Sequence, residues 1–423
     1  MAFGAVAGVV QIALLARLLG PSGLGVLGLL AAVTVVFGGV FRSNSAETVV
    51  TFLNRALAGD RASAGVVVGT CYLTDLGSSL LALAALLVFL PFGGAVGIDA
   101  PHRWLVGLYG CTLLGTATYW VSSSLLRVAN RFHWAFYQST ASAAVKTLAI
   151  AALAWRHAPL SGVVWVTVAL ACADGVAMFA LARRALRRIG VATDFSRAFR
   201  SLGRDFWRFA LLGHGRGVLK TTTRYLDMLV IGALLPTQQV GLYRAARQMA
   251  DQLQLPAQAL VSSLYPEYSR LWFTHQHARL RRLVAWSSAG LAGVGVLAVA
   301  GVWLAGGLLI RLLLGSAFLG AREALVVLVL ASVLNLAMTP VYSVPTAAGR
   351  GGAPLRAALA ATVVQFALMY FLVPAHGIVG AAWSNVAFYL AWTLVLIPSV
   401  MALLRHGGAP MPAAAPPAGV PST

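Results

Sequence analysis

The chain has 423 residues, of which 59% are hydrophobic and 10% are charged, and its mean hydropathy is +0.83. This composition excludes a soluble globular protein, and apolar runs of membrane-spanning length recur from one end of the chain to the other. The formal net charge of +20 would suggest nucleic-acid binding in a soluble protein. Here most basic residues lie in short connections between apolar runs, which is typical of a polytopic membrane protein and indicates no nucleic-acid partner.

The hydropathy pattern predicts an all-α protein with twelve membrane-spanning helices. The spans are expected at residues 1–16, 24–41, 64–90, 104–126, 138–155, 161–182, 209–235, 241–265, 284–310, 323–343, 357–373 and 378–401. The first span lacks a preceding basic region and a small-residue cleavage site, so we expect a retained helix rather than a signal peptide. Because this span is short before Arg17, a start upstream of Met1 stays open. The tail at 404–423 is rich in Pro and Ala and is expected to be disordered and cytoplasmic.

The distribution of Arg and Lys predicts the orientation of the helices. If the N-terminus is cytoplasmic, the inner connections hold 20 of the 31 basic residues, the outer connections hold 5 and the spans hold 6. Because basic loops stay on the cytoplasmic side, this bias predicts that both termini face the cytoplasm. The most basic connection, 183–208, carries eight arginines and separates an N-lobe (1–182) from a C-lobe (209–403). It is either an amphipathic segment on the inner leaflet or a solvated loop.

A weak internal repeat supports the division into two six-helix lobes. The motif Leu18-Leu19-Gly20-Pro21 with Gly25 opens the second span, and Leu234-Leu235-Pro236 with Gly241 opens the eighth. The prolines are 215 residues apart and the glycines 216. Both units run from outside to inside, so we expect a parallel repeat with a pseudo-two-fold axis along the membrane normal.

The seventh span carries an unusual number of charged side chains. Spacings of 4, 4 and 3 residues place four of them within about 80° of one helical face: Arg216, Lys220, Arg224 and Asp227. Each cation at a helix centre opposes insertion by roughly 2.5–3.5 kcal/mol. Such a segment persists only if its charged face meets partners, water or an anionic ligand within the protein. The stripe therefore predicts the lining of a polar cavity in a transporter.

The eighth span continues this polar face. Five of its side chains lie within about 100° of one another: Arg244, Arg247, Gln248, Asp251 and Gln258. In a purely structural alternative, Asp227 pairs with Arg224 and Asp251 pairs with Arg247. That pairing leaves three cations on the two spans without a partner, so we expect an anionic substrate to bind the five basic side chains. These are Arg216, Lys220, Arg224, Arg244 and Arg247.

Other charges lie in or beside the first six spans. Arg17 follows the first span and Arg42 follows the second, and either could line the cavity or extend to a lipid headgroup. Asp75, Lys146 and Asp174 are single charges in the third, fifth and sixth spans. Buried pairing and a proton or sodium relay are both open for these three residues.

Other kinds of chemistry are disfavoured by the sequence. The three cysteines, Cys71, Cys111 and Cys172, have no paired spacing, and the histidines have no metal-site spacing. No glycine-rich nucleotide motif occurs in the sequence. The outer connections are short, whereas a membrane glycosyltransferase or polymerase would normally need a larger external catalytic loop. We therefore expect a transporter without a resident cofactor or metal rather than an enzyme.

Several segments resemble one known family. They are A-R-L-L-G-P-S-G-L-G-V-L-G-L (16–29), the basic connection, Y-L-D-M-L-V-I-G-A-L-L-P-T-Q-Q-V-G-L-Y-R-A-A-R-Q-M (225–249) and L-Y-P-E-Y-S-R-L (264–271). They are similar to the polysaccharide transporter family, the Wzx-type lipid-linked oligosaccharide flippases of the multidrug/oligosaccharidyl-lipid/polysaccharide exporter superfamily. In span number and layout, the resemblance extends over nearly the whole chain.

The resemblance implies a V-shaped fold of two six-helix lobes with a cationic central cavity. It implies that an undecaprenyl-diphosphate-linked oligosaccharide or repeat unit moves from the inner to the outer leaflet of the cell membrane by alternating access. Arg17 and Arg42 match positions where related flippases carry arginines, and Asp227 matches a recurrent aspartate of helix seven. Asp227 and Asp251 are the acids expected to couple transport to a proton or sodium gradient.

The expected partners are membrane lipids, the lipid-linked glycan, glycosyltransferases and a polysaccharide polymerase. Two other functions stay open at this point. A drug or small-cation antiporter of the same superfamily would be expected to line its cavity with acids. A non-transporting membrane scaffold would need no buried charge.

The charge distribution predicts that position 195 faces the cytoplasm. In a variant whose three native cysteines are replaced, we expect Phe195→Cys to react in intact cells only with a membrane-permeant thiol reagent. Asp99→Cys, in the outer connection 91–103, should react with an impermeant reagent and serves as the control. Labelling of position 195 by the impermeant reagent would overturn the orientation.

Overall fold

A computed structural model of the chain describes residues 2–43, 45–59, 61–199, 202–347 and 352–406. These residues are almost entirely helical, and no β-strand occurs among them. The expected all-α membrane fold class is confirmed. Within the same residues, six regions are long and apolar enough to cross a membrane: Val6–Ala58, Ser63–Val96, Leu160–Arg188, His277–Leu313, Ser316–Thr346 and Ala353–Leu403.

The described part of the chain contains thirteen α-helices, numbered here in chain order. They are α1 (Ala2–Phe41), α2 (Ala46–Ala58), α3 (Arg61–Phe89), α4 (Arg103–Gly110), α5 (Thr112–Gly115), α6 (Tyr119–Val128), α7 (Phe132–Trp155), α8 (Leu160–Arg188), α9 (Arg204–Leu234), α10 (Thr237–Phe273), α11 (His277–Leu313), α12 (Arg322–Ala347) and α13 (Gly352–His406). Short 3₁₀-helical segments lie at Leu90–Val96, Ala100–His102 and Ser316–Ala321. The number of membrane crossings, twelve by sequence, stays a prediction, and residues 407–423 of the predicted tail lie outside the described residues.

Two long helices each cover two of the predicted spans. Helix α1 changes direction at Gly20, where φ is 64° and ψ is −178°. Helix α13 does the same at Gly377, where φ is 57° and ψ is −137°. Both φ values lie in the left-handed region that glycine enters without steric cost. Each long helix therefore consists of two helical segments joined at a glycine.

Helix α2 occupies a region that the sequence analysis treated as a connection. Its buried side chains are Thr48, Val49, Leu53 and Ala56. The apolar members pack into a core formed with α3, α6 and the C-terminal end of α8. Because the opposite face of α2 is polar, its mean hydropathy is low and a search for apolar runs does not find it.

The fourth predicted span, 104–126, is not a single helix. It is divided into α4, α5 and α6 by turns at Cys111 and at residues 116–118. The middle piece crosses α8 very closely, since a Cβ atom built on Gly175 would lie 1.8 Å from the Gly115 carbonyl oxygen. The Thr118 hydroxyl donates to the Gly175 carbonyl at 3.2 Å. Close backbone packing against α8 thus accompanies the break in the helix.

Packing divides the chain into two compact units. The first comprises Met1–Gln248 and Leu309–Ala321, and the second comprises Met249–Leu308 and Arg322–Thr423. In the second unit, an apolar core joins residues of α10 to α13. These units are defined by packing, whereas the lobes at 1–182 and 209–403 were inferred from topology. The lobes and the linker between them stay a prediction.

The two halves of the predicted repeat meet at their equivalent glycines inside the first unit. A Cβ atom on Gly25 would lie 1.9 Å from the Thr237 carbonyl oxygen, and one on Gly241 would lie 1.8 Å from the Pro21 carbonyl oxygen. Pro21 and Thr237 are separated by 216 residues, as are the two glycines. Each motif therefore contributes the glycine to one contact and the carbonyl oxygen to the other, as a local two-fold relation requires.

A second pair of contacts joins residues that are related by nearly the same sequence offset as the two glycines. The Arg17 guanidinium donates to the Leu312 carbonyl, which helps to attach the segment Leu309–Ala321 to the first unit. In the other half, a Cβ atom on Gly97 would lie 2.0 Å from the Gly232 carbonyl oxygen. Gly232 follows Arg17 by 215 residues, and Leu312 follows Gly97 by 215. The local two-fold relation thus extends beyond the glycine crossing.

The glycine crossing predicts that even a methyl group is too large at its centre. We expect Gly25→Ala to lower the melting temperature of the purified protein in detergent, because overpacking costs roughly 1–3 kcal/mol. Gly77→Ala is the matched control, since a Cβ atom at this α3 position would meet nothing within 4 Å. Equal melting temperatures for the two variants would contradict the crossing.

Candidate substrate and ion-coupling site

A buried ion pair joins α9 to α10 within the first unit. Asp227 is 2% exposed, and its Oδ2 accepts a hydrogen bond from the Arg247 guanidinium. The same oxygen accepts from the Tyr243 hydroxyl at 3.1 Å. Arg247 also donates to the Tyr243 oxygen at 3.2 Å, so the three side chains form a closed group. A carboxylate without access to water requires such partners, because an unpaired buried charge is strongly destabilising.

This pairing differs from the structural alternative considered for the sequence. Arg247 pairs with Asp227, twenty residues away, and not with Asp251 on its own helix. Asp251 lies in the second compact unit, beyond the division at Gln248. The two acids expected to couple transport to an ion gradient therefore lie in different units. Helical spacing alone favoured the local partners, whereas packing of α9 against α10 selects the distant one.

Arg244 lies one helical turn before this group and has a different environment. Its Nη1 donates to the Leu24 carbonyl of α1 at 3.1 Å. Its stem crosses α1 at Gly28, where a Cβ atom would lie 2.8 Å from the Arg244 Cδ. The absence of a side chain at Gly28 therefore provides the space for Arg244. No ion pair of Arg244 occurs among the described side chains.

A second cation, Lys146 of α7, lies in electrostatic range of Arg244. The charge of Asp174 on α8 also acts on Lys146. That carboxylate accepts hydrogen bonds from Gln138 Nε2 at 3.0 Å and from the Ser142 hydroxyl at 2.7 Å. The sequence marked Lys146 only as an isolated charge in an apolar span. The interaction of Lys146 with Arg244 depends on how α7 and α10 are arranged around α1. No local sequence pattern predicts this arrangement.

The remaining cations of the predicted stripe lie on α9. This helix is continuous from Arg204 to Leu234, so positions 216, 220 and 224 keep the helical spacing that places them on one face. The side chains of Arg216, Lys220 and Arg224 lie outside the described part of the structure. Their assignment to a substrate site therefore stays a prediction.

Arg17 and Arg42 have partners of their own in the first unit. Arg17 is exposed and donates to the Leu312 carbonyl. Arg42 is half-buried and donates to the Thr116 hydroxyl at 3.0 Å. Its charge also acts on Asp75, which is 1% exposed. The role of Arg17 and Arg42 in binding a substrate stays a prediction.

Asp75 holds the start of α2. Its Oδ1 accepts from the Ser45 backbone N–H at 3.2 Å and from the Ser45 hydroxyl at 2.7 Å. These contacts correspond to the buried pairing considered for Asp75 and give it a structural role. This partner does not follow from the hydropathy pattern, because that pattern does not predict α2.

Comparison with known proteins places these residues in a family context. The family model described as polysaccharide biosynthesis protein matches residues 2–272. The chain is 28% identical over 210 residues to the probable flippase AglR of Haloferax volcanii, and this match covers 48% of the chain and 43% of AglR. The chain thus aligns with less than half the length of this relative.

Two solved structures share the fold at low sequence identity. The inward-facing conformation of a multidrug resistance MATE family transporter of the MOP superfamily has a TM-score of 0.75 and 15% identity, with 96% of each chain covered. The inward closed conformation of the lipid II flippase MurJ has a TM-score of 0.71 and 14% identity, with 94% of this chain and 86% of that one covered. The two proteins have different printed functions, so this likeness concerns the fold alone.

The ion pair predicts that Asp227 and Arg247 are coupled in stability. Arg247→Gln leaves a buried carboxylate without its cation, and breaking a buried pair costs about 3–5 kcal/mol. We expect the double variant, Asp227→Asn with Arg247→Gln, to lose less thermal stability than the sum of the losses in the two single variants. Tyr243→Phe, which removes one neutral donor, should have a smaller effect of about 0.5–1.5 kcal/mol. Additive losses in thermal melts of the purified variants would contradict the coupling.

Proposed function

This chain belongs to the polysaccharide biosynthesis protein family, and we propose that it flips a polyprenyl-diphosphate-linked oligosaccharide or polysaccharide repeat unit across the cell membrane. The protein is a multi-pass membrane transporter, and it shares its fold with a transporter of the MOP superfamily. The specific cargo, for which undecaprenyl diphosphate is the expected carrier, and the direction from the inner to the outer leaflet belong to the proposal. The printed names of AglR and MurJ as flippases support it.

The observation that carries the proposal is the environment of Arg244. This cation is half-buried in the first unit and bonds to a backbone carbonyl, and its charge acts on Lys146. Two cations that repel each other in a poorly hydrated environment are stabilised when an anion binds to both. A diphosphate group has the required charge and several acceptor oxygens.

A guanidinium group is chemically suited to this ligand. It presents five N–H donors in a planar fork, of which the Leu24 carbonyl takes one among the described residues. Guanidinium groups bind phosphate oxygens in pairs and lose water more readily than ammonium groups do. We propose that Arg244 and Lys146 bind the diphosphate. In this proposal Arg216, Lys220 and Arg224 of α9 provide further basic side chains, and the five residues together are called the cationic wall.

Asp227 provides a route for coupling transport to a proton or sodium gradient. Its carboxylate holds Arg247 in the closed group with Tyr243. A proton or sodium ion on Asp227 would compete with Arg247 and free this guanidinium for the substrate. We propose Asp227 as the main coupling acid, with Asp251 as the second. The polyprenyl chain would stay in lipid while the head group crosses by alternating access.

The second candidate function is a multidrug or small-cation antiporter. It is supported by the fold shared with a MATE family transporter. An exporter of organic cations is expected to offer unpaired acids to its substrate. In the described interior of the first unit, Asp227 is paired with Arg247, and Asp174 is held by Gln138 and Ser142. This arrangement favours an anionic substrate.

The proposal predicts that glycan export depends on the cationic wall. Replacing Arg216, Lys220 and Arg224 together with Ala should leave an inserted protein, because removing cations from a predicted span lowers the cost of insertion. Export should be lost, since each charge-assisted contact to the diphosphate contributes about 1.5–3 kcal/mol. Arg244→Ala should also abolish export, and Arg244→Lys should restore it in part, because a point charge replaces a planar fork.

The measurement is the amount of surface glycan in cells that lack the native protein, with membrane abundance of each variant measured in parallel. Arg281→Ala is the matched control, since this arginine is exposed near the start of α11. Normal export by the triple variant at normal abundance would exclude the stripe from substrate binding. A gain in drug resistance without glycan export would favour the antiporter.

A further inference from the structure

A second basic surface lies at the C-terminal end of α8. It is separate from the basic side chains of α9 and α10 described above. The candidate span Leu160–Arg188 finishes with four exposed arginines: Arg183, Arg184, Arg187 and Arg188. The opposite face of these two turns, including Ala182, Ala185 and Leu186, is buried in the core shared with α2, α3 and α6. The core therefore fixes the helix rotation that presents the arginines outward.

Trp134 of α7 gathers three guanidinium groups around one ring. The Cζ atoms of Arg188, Arg131 and Arg184 lie 5.1, 5.7 and 5.9 Å from the ring centroid. Trp134 itself packs against the core cluster, so its position is fixed. Each guanidinium is attracted to the ring, but the three like charges repel one another. None of the three forms an ion pair with another described residue.

The four arginines at the end of α8 line a groove. One part of it has a volume of ≈ 560 Å³ and is lined by Phe179, Ala180 and the four arginines of α8. The adjoining part has a volume of ≈ 430 Å³ and lies between Phe179, Arg183 and Arg187 and the connection 190–195. The groove thus combines a basic wall with two aromatic residues, Phe179, which lines both parts, and Phe195.

The connection that closes the groove is held against α3. The Asp194 N–H donates to the Gly65 carbonyl at 3.0 Å, and a Cβ atom on Gly65 would lie 2.1 Å from the Ala192 carbonyl oxygen. The Asp194 carboxylate accepts from the Ser196 hydroxyl at 2.7 Å and lies 4.0 Å from Arg197. Asp194 therefore interacts with Ser196 and Arg197 rather than with the α8 arginines. The charge of these arginines is left uncompensated by it.

The neighbouring surface of α7 indicates what kind of anion binds. Phe132, Phe136 and Tyr137 are 63%, 55% and 65% exposed beside Trp134. Residues 138–155 of α7 are a predicted span, and exposed aromatic rings at the end of a span are typical of the level of the lipid headgroups. Basic pockets between helices at that level suit phosphate-bearing headgroups whose acyl chains stay in the bilayer.

We propose that Arg131, Arg184 and Arg188 around Trp134, together with Arg183 and Arg187 in the groove, bind the headgroup of an anionic phospholipid. The phosphodiester lies among the guanidinium groups and relieves their repulsion. The acyl chains extend along the exposed aromatic face of α7. This site is separate from the proposed transport of a lipid-linked glycan and does not depend on it.

The test is native mass spectrometry of the full-length protein in detergent, titrated with dioleoyl phosphatidylglycerol or with dioleoyl phosphatidylcholine. The two lipids share their acyl chains and differ in headgroup charge. We expect the wild-type protein to retain the phosphatidylglycerol preferentially. Arg184→Ala combined with Arg188→Ala should weaken this binding by roughly tenfold or more, because each basic residue near a headgroup contributes to attraction.

The matched control combines Arg281→Ala with Arg282→Ala, which removes the same charge from exposed positions on α11 and should leave binding unchanged. Trp134→Phe retains an aromatic ring and should bind better than Trp134→Leu, and thermal melts check that all variants are folded. Equal binding by the two double variants would overturn the proposal. So would displacement of the lipid by millimolar inorganic phosphate, or tighter binding of geranylgeranyl diphosphate at the same arginines.

Discussion

The close crossing of α1 and α10 at Gly25 and Gly241 determines where the charged side chains of the first unit lie. With no side chain at either glycine, the two backbones approach so closely that a Cβ atom on either would overlap a carbonyl oxygen of the other helix. Arg244 follows Gly241 by three residues and therefore reaches the Leu24 carbonyl beside the crossing. One turn further on, Arg247 reaches Asp227 of α9. A bulkier residue at the crossing would separate both arginines from these partners.

The charged groups inside the first unit differ in how completely they are compensated. Asp227, Asp75 and Asp174 each accept at least two hydrogen bonds from neighbouring side chains or backbone. Arg244 and Lys146 instead act on each other as like charges. The satisfied acids are explained by structure, whereas Asp174 offsets only part of the repulsion between the two cations, and we propose that a bound anion offsets the rest. The proposed diphosphate site follows from this difference and not from the net charge of the chain.

The arginines around Trp134 show that one residue type can serve two purposes in this protein. Arg244 is half-buried against α1, where Gly28 makes room for its stem. Arg184 and Arg188 lie on an exposed helix face whose orientation is set by the apolar core behind it. The first environment suits a ligand that enters the protein, and the second suits one that stays in the membrane. Both proposed sites would bind phosphate oxygens through the same guanidinium chemistry.

By itself, the sequence determined the all-α membrane fold, the helical positions of most predicted spans and the presence of a charged face on α9 and α10. These properties depend on hydropathy and helical periodicity, which are local. The repeat around Pro21 and Pro236 was also visible, because its residues keep a constant offset. Only the tertiary structure decided that Asp227 pairs with Arg247, that Lys146 lies near Arg244 and that the fourth span is broken where Gly115 meets α8. Each of these depends on helices distant in sequence approaching one another, and that approach is selected by packing across the unit rather than by any pattern along the chain.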